Sequence, residues 1–470
     1  MEEYLRKSFL KLRVCSLKIS FALRVIIRKI SEFCTILGFS RAYRILANLT
    51  IPLIGLTDTM IMGHMPNSSY IAAIALGSII FNFLYAGLNF LRMGTTGIVA
   101  QKFGEKDFNE ILLSFFRSLT IAIVIGIFFI TFKEKTLDLA IYIFNPSEKL
   151  QPLLKIYFFT RVFALLPGLI NMVFLGWFFG MQKTKSVMLQ LVCINSINII
   201  CSIYFCIILD FGIFGVALGS IIGQFSGLIL SVFIFLNHYN YFNSTSILFK
   251  NINSFSSVFE LFNISRDLFI RTMFLIGAQA LLIKKATIIG INELAVIKIM
   301  IVIFSISSYS LDAFAHTAET TVGNAVGAKN KVMLKNSIRF STEMSVLFSL
   351  LIGLFLYVFK DYIIIAFTNI ETLISLTSSL WSFVIISPII AVMAFQLDGI
   401  FIGATLAKQM RNSMILSSIM FFLSIEMFDQ NMLTIEKLYL CYLLFLFLRG
   451  IILSLYINNV FNLIGKKFND

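Results

Sequence analysis

The sequence predicts an all-α polytopic membrane protein, with twelve transmembrane helices in two six-helix lobes related by a pseudo-two-fold axis along the membrane normal. Three observations lead there: long uncharged apolar runs, alternation of basic and non-basic connections, and an internal repeat. Of the 470 residues, 58% are hydrophobic and only 13% charged, where a soluble domain carries roughly a quarter. Runs such as "SIIFNFLYAGLNFL" (78–91), "GLINMVFLGWFFG" (168–180) and "SLLIGLFLYVF" (349–359), with their neighbours, reach the roughly 20 residues that a spanning helix needs. The runs are too long for barrel strands and lack period-two alternation.

About twelve spans follow by that criterion, near 44–64, 72–100, 112–132, 154–180, 186–209, 212–236, 264–289, 293–323, 335–359, 378–405, 412–428 and 437–463. The formal charge of +14 is distributed as in a membrane protein rather than a nucleic-acid binder. Ten basic residues, from Arg6 to Arg44, precede the first span. Connections after even-numbered spans carry Lys102 and Lys106, Lys183 and Lys185, Lys250 and Arg266, Lys329 to Arg339, and Lys408 with Arg411; Lys466 and Lys467 follow the last span. Connections after odd-numbered spans are bare or mixed: "HMPNSSY" (64–70) has no lysine or arginine, "LDFG" (209–212) has only Asp210, and "EMFDQNMLTIEK" (426–437) is mainly acidic. The positive-inside rule then puts both termini in the cytoplasm, which requires an even number of spans.

The repeat has an offset of 223 residues: "GWFFGMQKTKS" from Gly176 returns as "GIFIGATLAKQ" from Gly399, and Gln101 and Gly104-Glu-Lys-Asp return as Asn324 and Gly327-Ala-Lys-Asn. An offset of 227 lays "MIMG" (60–63) on "TIIG" (287–290). Six spans per unit means that both copies enter the membrane in the same direction, the parallel-repeat arrangement that sets a solute cavity between halves. The chain is thus expected to divide into a basic amphipathic extension lying on anionic lipid (1–40), a first lobe (41–236), a polar cytoplasmic linker (237–263) and a second lobe (264–470).

Polar residues inside apolar spans mark candidate sites, since an aspartate at a helix centre costs about 2.5–3.5 kcal/mol on insertion scales. Asp58, Asp312 and Asp398 are the main cases. Asp58 follows Pro52, which removes a helix hydrogen bond and permits a bend. Burial penalises the charged form of a carboxyl and brings proton exchange towards physiological pH, so a proton on Asp58 would change charge and shape together. Asn195, Asn198 and Ser202 share one helix face, and Asn171 and Ser220 add oxygens to the same lobe; each alone also fits plain interhelical hydrogen bonding. Lys284 and Lys285 late in the seventh span are candidates for pairing with a second-lobe carboxylate or for snorkelling to the interface. The six cysteines and His64, His238 and His316 show no metal-ligand spacing, and His316 with Glu319 is one helical turn without a third ligand. There is no Walker A loop and no clustered catalytic set, so an enzyme is not expected.

"NLTIPLIGLTDTMIMGH", "FLRMGTTGIVAQKFGEKD", "YSLDAFAHTAETTVGNAVGAKN" and "FQLDGIFIGATLAKQMRNS" together resemble the multidrug and toxic compound extrusion (MATE) transporters, nearest to the DinF-like branch, from about residue 40 to the end. The resemblance implies secondary active efflux of organic, often cationic or amphipathic solutes against an inward proton or sodium gradient, with no other cofactor. It also implies a multi-pass protein of the bacterial inner membrane, acting as a monomer among lipids. In the family Asp58 is the coupling carboxylate and Pro52 the bend. The family pattern N-x-x-N-x-x-x-D fits Asn195 and Asn198 but ends here in Ser202, and Ser220 stands where threonine is common. Loss of one carboxylate favours proton over sodium coupling. A lipid-linked precursor flippase, the other reading, calls for a strongly basic cavity, for which Arg92, Lys284, Lys285 and Lys298 are the intramembrane candidates.

Overall fold

The structure, a computed structural model, describes residues 68–144, 146, 148, 150–239, 255–368, 370–428 and 433–466. The expected first span with Pro52 and Asp58, the 1–40 extension and linker residues 240–254 lie outside the described residues. Among those described there is no strand. In chain order the helices are α1 (Ser68–Leu88), α2 (Phe90–Glu105), α3 (Phe108–Thr131), α4 (Lys133–Phe144), α5 (Gln151–Arg161), α6 (Leu165–Gly180), α7 (Thr184–Ile203) and α8 (Gly212–Tyr239) in the first lobe. The second lobe has α9 (Phe255–Ile289), α10 (Ile291–Gly327), α11 (Lys331–Val358), α12 (Lys360–Phe367), α13 (Glu371–Ser379), α14 (Trp381–Gly403), α15 (Ala407–Glu426), α16 (Ile435–Ser454) and α17 (Ile457–Lys466).

Ten helices among the described residues are long and apolar enough to cross a bilayer. The expected eleventh span is α15, with 20 residues, whose Lys408, Arg411 and serines lower its hydropathy. Helices overrun the expected bounds because polar turns at membrane depth are costly and helices satisfy their own backbone. Thus α10 extends over 37 residues, about 55 Å, and residues 255–263 of the expected linker belong to α9.

The turns at the basic end repeat one geometry. Lys106, Gln182, Lys329 and Thr405 each take a left-handed φ, at 61°, 59°, 51° and 56°. The N–H of the next residue bonds back five positions, Asp107 to Lys102, Lys183 to Phe178, Asn330 to Ala325 and Leu406 to Phe401, at 2.8–3.1 Å. This is the Schellman closure that satisfies the last helical carbonyls. Asp107 and Asn330, also 223 apart, then cap α3 and α11 by accepting from the Glu110 and Met333 N–H at 3.1 and 2.9 Å.

Core packing separates the two ends of the molecule. At the basic end a single buried cluster runs through both lobes, from Val99, Trp177 and Phe178 to Ala318, Val322, Leu397 and Phe401. At the opposite end each lobe has its own core, around Ala73, Phe81 and Tyr157 in the first and Met300, Trp381 and Tyr442 in the second. Among the described residues the lobes are therefore joined at one end and separately packed at the other.

The repeat offset is also the contact rule. Inside the lobes, Gly176 lies against the Arg92 carbonyl and Gly399 against the Ala315 carbonyl, equivalent pairs in the repeat. Between the lobes, Gly104 meets the Asn324 backbone and Gly327 the Gln101 backbone, so each half uses the same surface on the other. Such reciprocity is what a two-fold relation demands.

A side chain at Gly399 would place its Cβ 2.7 Å from the Ala315 carbonyl carbon, while Gly277 has nothing within 4 Å. Overpacking of this kind costs about 1–3 kcal/mol. Gly399→Val should therefore lower the melting temperature in detergent by several degrees, whereas Gly277→Ala should leave it unchanged or raise it.

Candidate functional site

In the first lobe the polar site is assembled by α6, α7 and α8. Glycines at every fourth position of α8 (Gly219, Gly223, Gly227) let α7 approach until Gly223 would place a Cβ 2.9 Å from the Asn198 Cβ. Close backbone approach of this kind is how helices associate in lipid. It buries Asn195, Asn198 and Ser202 at 5%, 6% and 1% exposure. The Asn198 amide donates to Ser220 Oγ at 3.2 Å, so the structure brings these two residues together. Asn171 sits with other partners: its amide donates to the carbonyl and the side-chain oxygen of Gln224 at 2.8 and 3.0 Å. Gln190 donates to the Asn171 carbonyl and Oδ1 at 3.1 and 3.2 Å. Ser220 and Gln224 are one turn apart on α8, so the pair and the trio form one stripe.

Buried polar atoms are nearly always paired, yet Asn198 Oδ1, Ser202 Oγ and Gln190 Oε1 are buried without a hydrogen-bond partner. They are three neutral oxygens with spare acceptor capacity inside one lobe. Gln190 and Gln224 were not among the sequence candidates, although each is an amide inside an otherwise apolar span and carries the same signal as Asn195. Asp58 and Pro52 lie outside the described residues.

The second lobe is built differently. Arg271 on α9 and Arg449 on α16 both donate to Asp398 Oδ2 on α14, with exposures of 4%, 3% and 7%. Arg449 also lies 5.4 Å from the Phe395 ring centroid. Asp398 is thus held between two guanidiniums. Asp312 on α10 is half-buried and lies within electrostatic range of Arg92, His316, Arg449 and Asp398. Sequence reasoning missed Arg271 and Arg449, each an arginine within an apolar run ("LFIRTMFLIG", "LFLFLRGIIL") and so the same signal as the intramembrane aspartates. Lys285 makes the expected pairing with a second-lobe carboxylate, donating to Glu426 at 2.7 Å, but at the end of α9 away from the basic turns, and Lys284 is exposed. Their long stems reach the polar rim there, outside the lobe interior.

Where the lobes meet, Arg92 of α2 reaches Glu319 of α10 at 3.5 Å, and His316 Nδ1 lies 3.2 Å from the same carboxylate oxygen. Phe179 of α6 packs on His316 with centroids 4.8 Å apart. Two turns further towards the basic end, Gln101 donates to the Gly403 carbonyl at 2.9 Å and to Thr405 Oγ1 at 3.2 Å.

The MatE family model matches residues 44–204 and again 269–427, one copy in each lobe. The chain belongs to the MatE family. It is therefore a membrane transporter, and the two matches restate the internal repeat. Among curated proteins it is 28% identical, over 410 residues, to DNA damage-inducible protein F of Escherichia coli (strain K12), covering 87% of this chain and 89% of that protein. Among solved structures it is similar to one described as MATE in the straight conformation, with TM-score 0.80, 16% identity and coverage of 90% and 95%. Another, an outward-facing multidrug resistance MATE family transporter of the MOP superfamily, gives TM-score 0.78 at 17% identity over the same shares. The twelve-helix, two-lobe architecture is that of these transporters.

Removing one partner of a buried ion pair costs about 3–5 kcal/mol, because a charge is left uncompensated. Asp398→Asn in this MATE transporter should therefore sharply lower the thermal midpoint and the yield of monodisperse protein. Lys285→Ala should change the midpoint little, since Glu426 is 48% exposed and such pairs contribute about 0–1 kcal/mol.

Proposed function

We propose that the protein exports organic, cationic or amphipathic solutes in exchange for protons by alternating access, with Asp58 as the coupling carboxylate and Pro52 as the bend of its helix. The donor set of the first lobe carries the reading. Asn198, Ser202 and Gln190 offer neutral oxygens, and Ser202 occupies the position where the family pattern has a second carboxylate. A hard cation is held by oxygen ligands and is helped by negative charge; a proton needs only Asp58 itself.

The positive-inside rule supports the orientation. It makes the basic end, where the lobes share a core, the cytoplasmic side, so the described form is outward-facing with both termini inside. Cation and solute then act by favouring different members of this pair of states. The protein is expected to work as a monomer in a bacterial inner membrane. A headgroup flippase is less favoured by the charge pattern, because the interior arginines Arg92, Arg271 and Arg449 face the carboxylates of Glu319, Asp398 and Asp312.

In proteoliposomes loaded with a fluorescent organic cation, an imposed proton gradient should drive counterflow, a sodium gradient without a pH difference should do little, and Asp58→Asn should abolish the proton-driven flux. Wild-type flux in Asp58→Asn would remove Asp58 from the mechanism, and robust sodium-driven flux would reverse the choice of ion.

A further inference from the structure

Opening of the lobes at the basic end, which alternating access requires, would break one ion pair. Arg92 belongs to the first lobe and Glu319 to the second, and their side chains are 9% and 1% exposed. The pair lies about 20 Å of helix above the end of α2, over the tightly packed section where Gln101, Gly104 and Gly327 join the lobes. Alternating access requires this section to open, and Arg92 then leaves Glu319. A carboxylate stripped of its counter-charge is unfavourable until water or another donor replaces it, so a donor that travels with the second lobe lowers the cost of opening.

His316 meets that need. It precedes Glu319 by three residues on α10, so it keeps its place beside the carboxylate however the lobes move. Its Nδ1 is 3.2 Å from Glu319 Oε2, and Glu319 Oε1 is buried with no hydrogen-bond partner, leaving acceptor capacity for a second donor. We propose that Arg92 and Glu319 form the latch that holds the lobes together at the basic end, and that protonated His316 takes over Glu319 when Arg92 departs.

The groups facing this trio support the exchange. From α2 come Arg92 and the uncharged Thr96, and from α6 the Phe179 ring, which lies under both His316 and the Arg92 guanidinium, the latter at 5.7 Å. On α10 itself Asp312 is one turn away, with Asp398 of α14 and Arg449 of α16 beyond it. Departure of Arg92 removes a positive charge from beside Asp312 and Glu319, and a proton on His316 restores it. Imidazole is the side chain able to gain that charge near neutral pH. Opening at the basic end would thus draw in a proton at a place remote in sequence from Asp58. The proposal rests on the alternating-access reading but on neither the solute nor the coupling ion.

The test measures distance, independent of transport. Spin labels are placed at Asn109→Cys and Val332→Cys, equivalent exposed positions at the basic ends of α3 and α11. The native cysteines are replaced, and the work is done in an Asp58→Asn background so that the first-span carboxylate does not titrate. With Arg92 and Glu319 present, the short distance should dominate at alkaline pH and a longer one grow in on acidification. Arg92→Ala should shift the population to the long distance by about tenfold or more, Arg92→Lys should retain the short one, and Arg92→Glu combined with Glu319→Arg should restore it. His316→Phe, which keeps the packing on Phe179, should stay short at alkaline pH and lose the acid response. Wild-type distances in Arg92→Ala, or a charge-swapped protein that folds and stays open, would overturn the latch. An unchanged acid response in His316→Phe would overturn the exchange.

Discussion

Lipid tails are as apolar as the side chains facing them, so nothing resembling the hydrophobic effect in water drives these helices together. What remains is close packing and polar complementarity, and both depend on how near two backbones come. At the basic end Gly104 and Gly327 lie against the backbones of Asn324 and Gln101, and around this contact the shared core closes. At the far end each lobe packs on itself. A single joined end, flanked by two separately packed bodies, is a structure that rocking can rearrange without unfolding either half.

The polar interior divides between the lobes in a way that follows from this frame. Among the described residues, the stripe across α6, α7 and α8 of the first lobe is of neutral amides and hydroxyls, with three oxygens left open. The second contains a dense set of fixed charges, with Asp398 shared by Arg271 and Arg449. Fixed, mutually compensating charges make a rigid body. Open neutral oxygens make a site whose occupancy can vary. Between them the Arg92, Glu319 and His316 group is the place where charge compensation crosses from one lobe to the other.

Much of this was legible in the sequence. Apolar run length locates the spans because bilayer thickness sets a minimum helix length. The offset of 223 locates the contact glycines because equivalent positions in a two-fold assembly meet equivalent surfaces. The common face of Asn195, Asn198 and Ser202 followed from helical periodicity and is seen as a buried stripe. The amides Gln190 and Gln224 escaped notice because they fall outside that local pattern and join it only through Asn171. Arg271 and Arg449 escaped because the basic connections nearby drew attention to charge outside the membrane.

The spacing of His316 and Glu319 was plain in the sequence, and by itself it suggested only an incomplete metal site. Their meaning depends on Arg92, 227 residues before Glu319, which no local rule connects to them. Sequence alone determined the fold class, the span count, the repeat and the end at which positive charge gathers, because these reflect bilayer thickness, backbone satisfaction and chain symmetry. Which buried charges compensate one another was decided only in the tertiary structure. Ion pairing depends on distances of a few ångströms between elements far apart in the chain, and such distances exist only once the helices have packed.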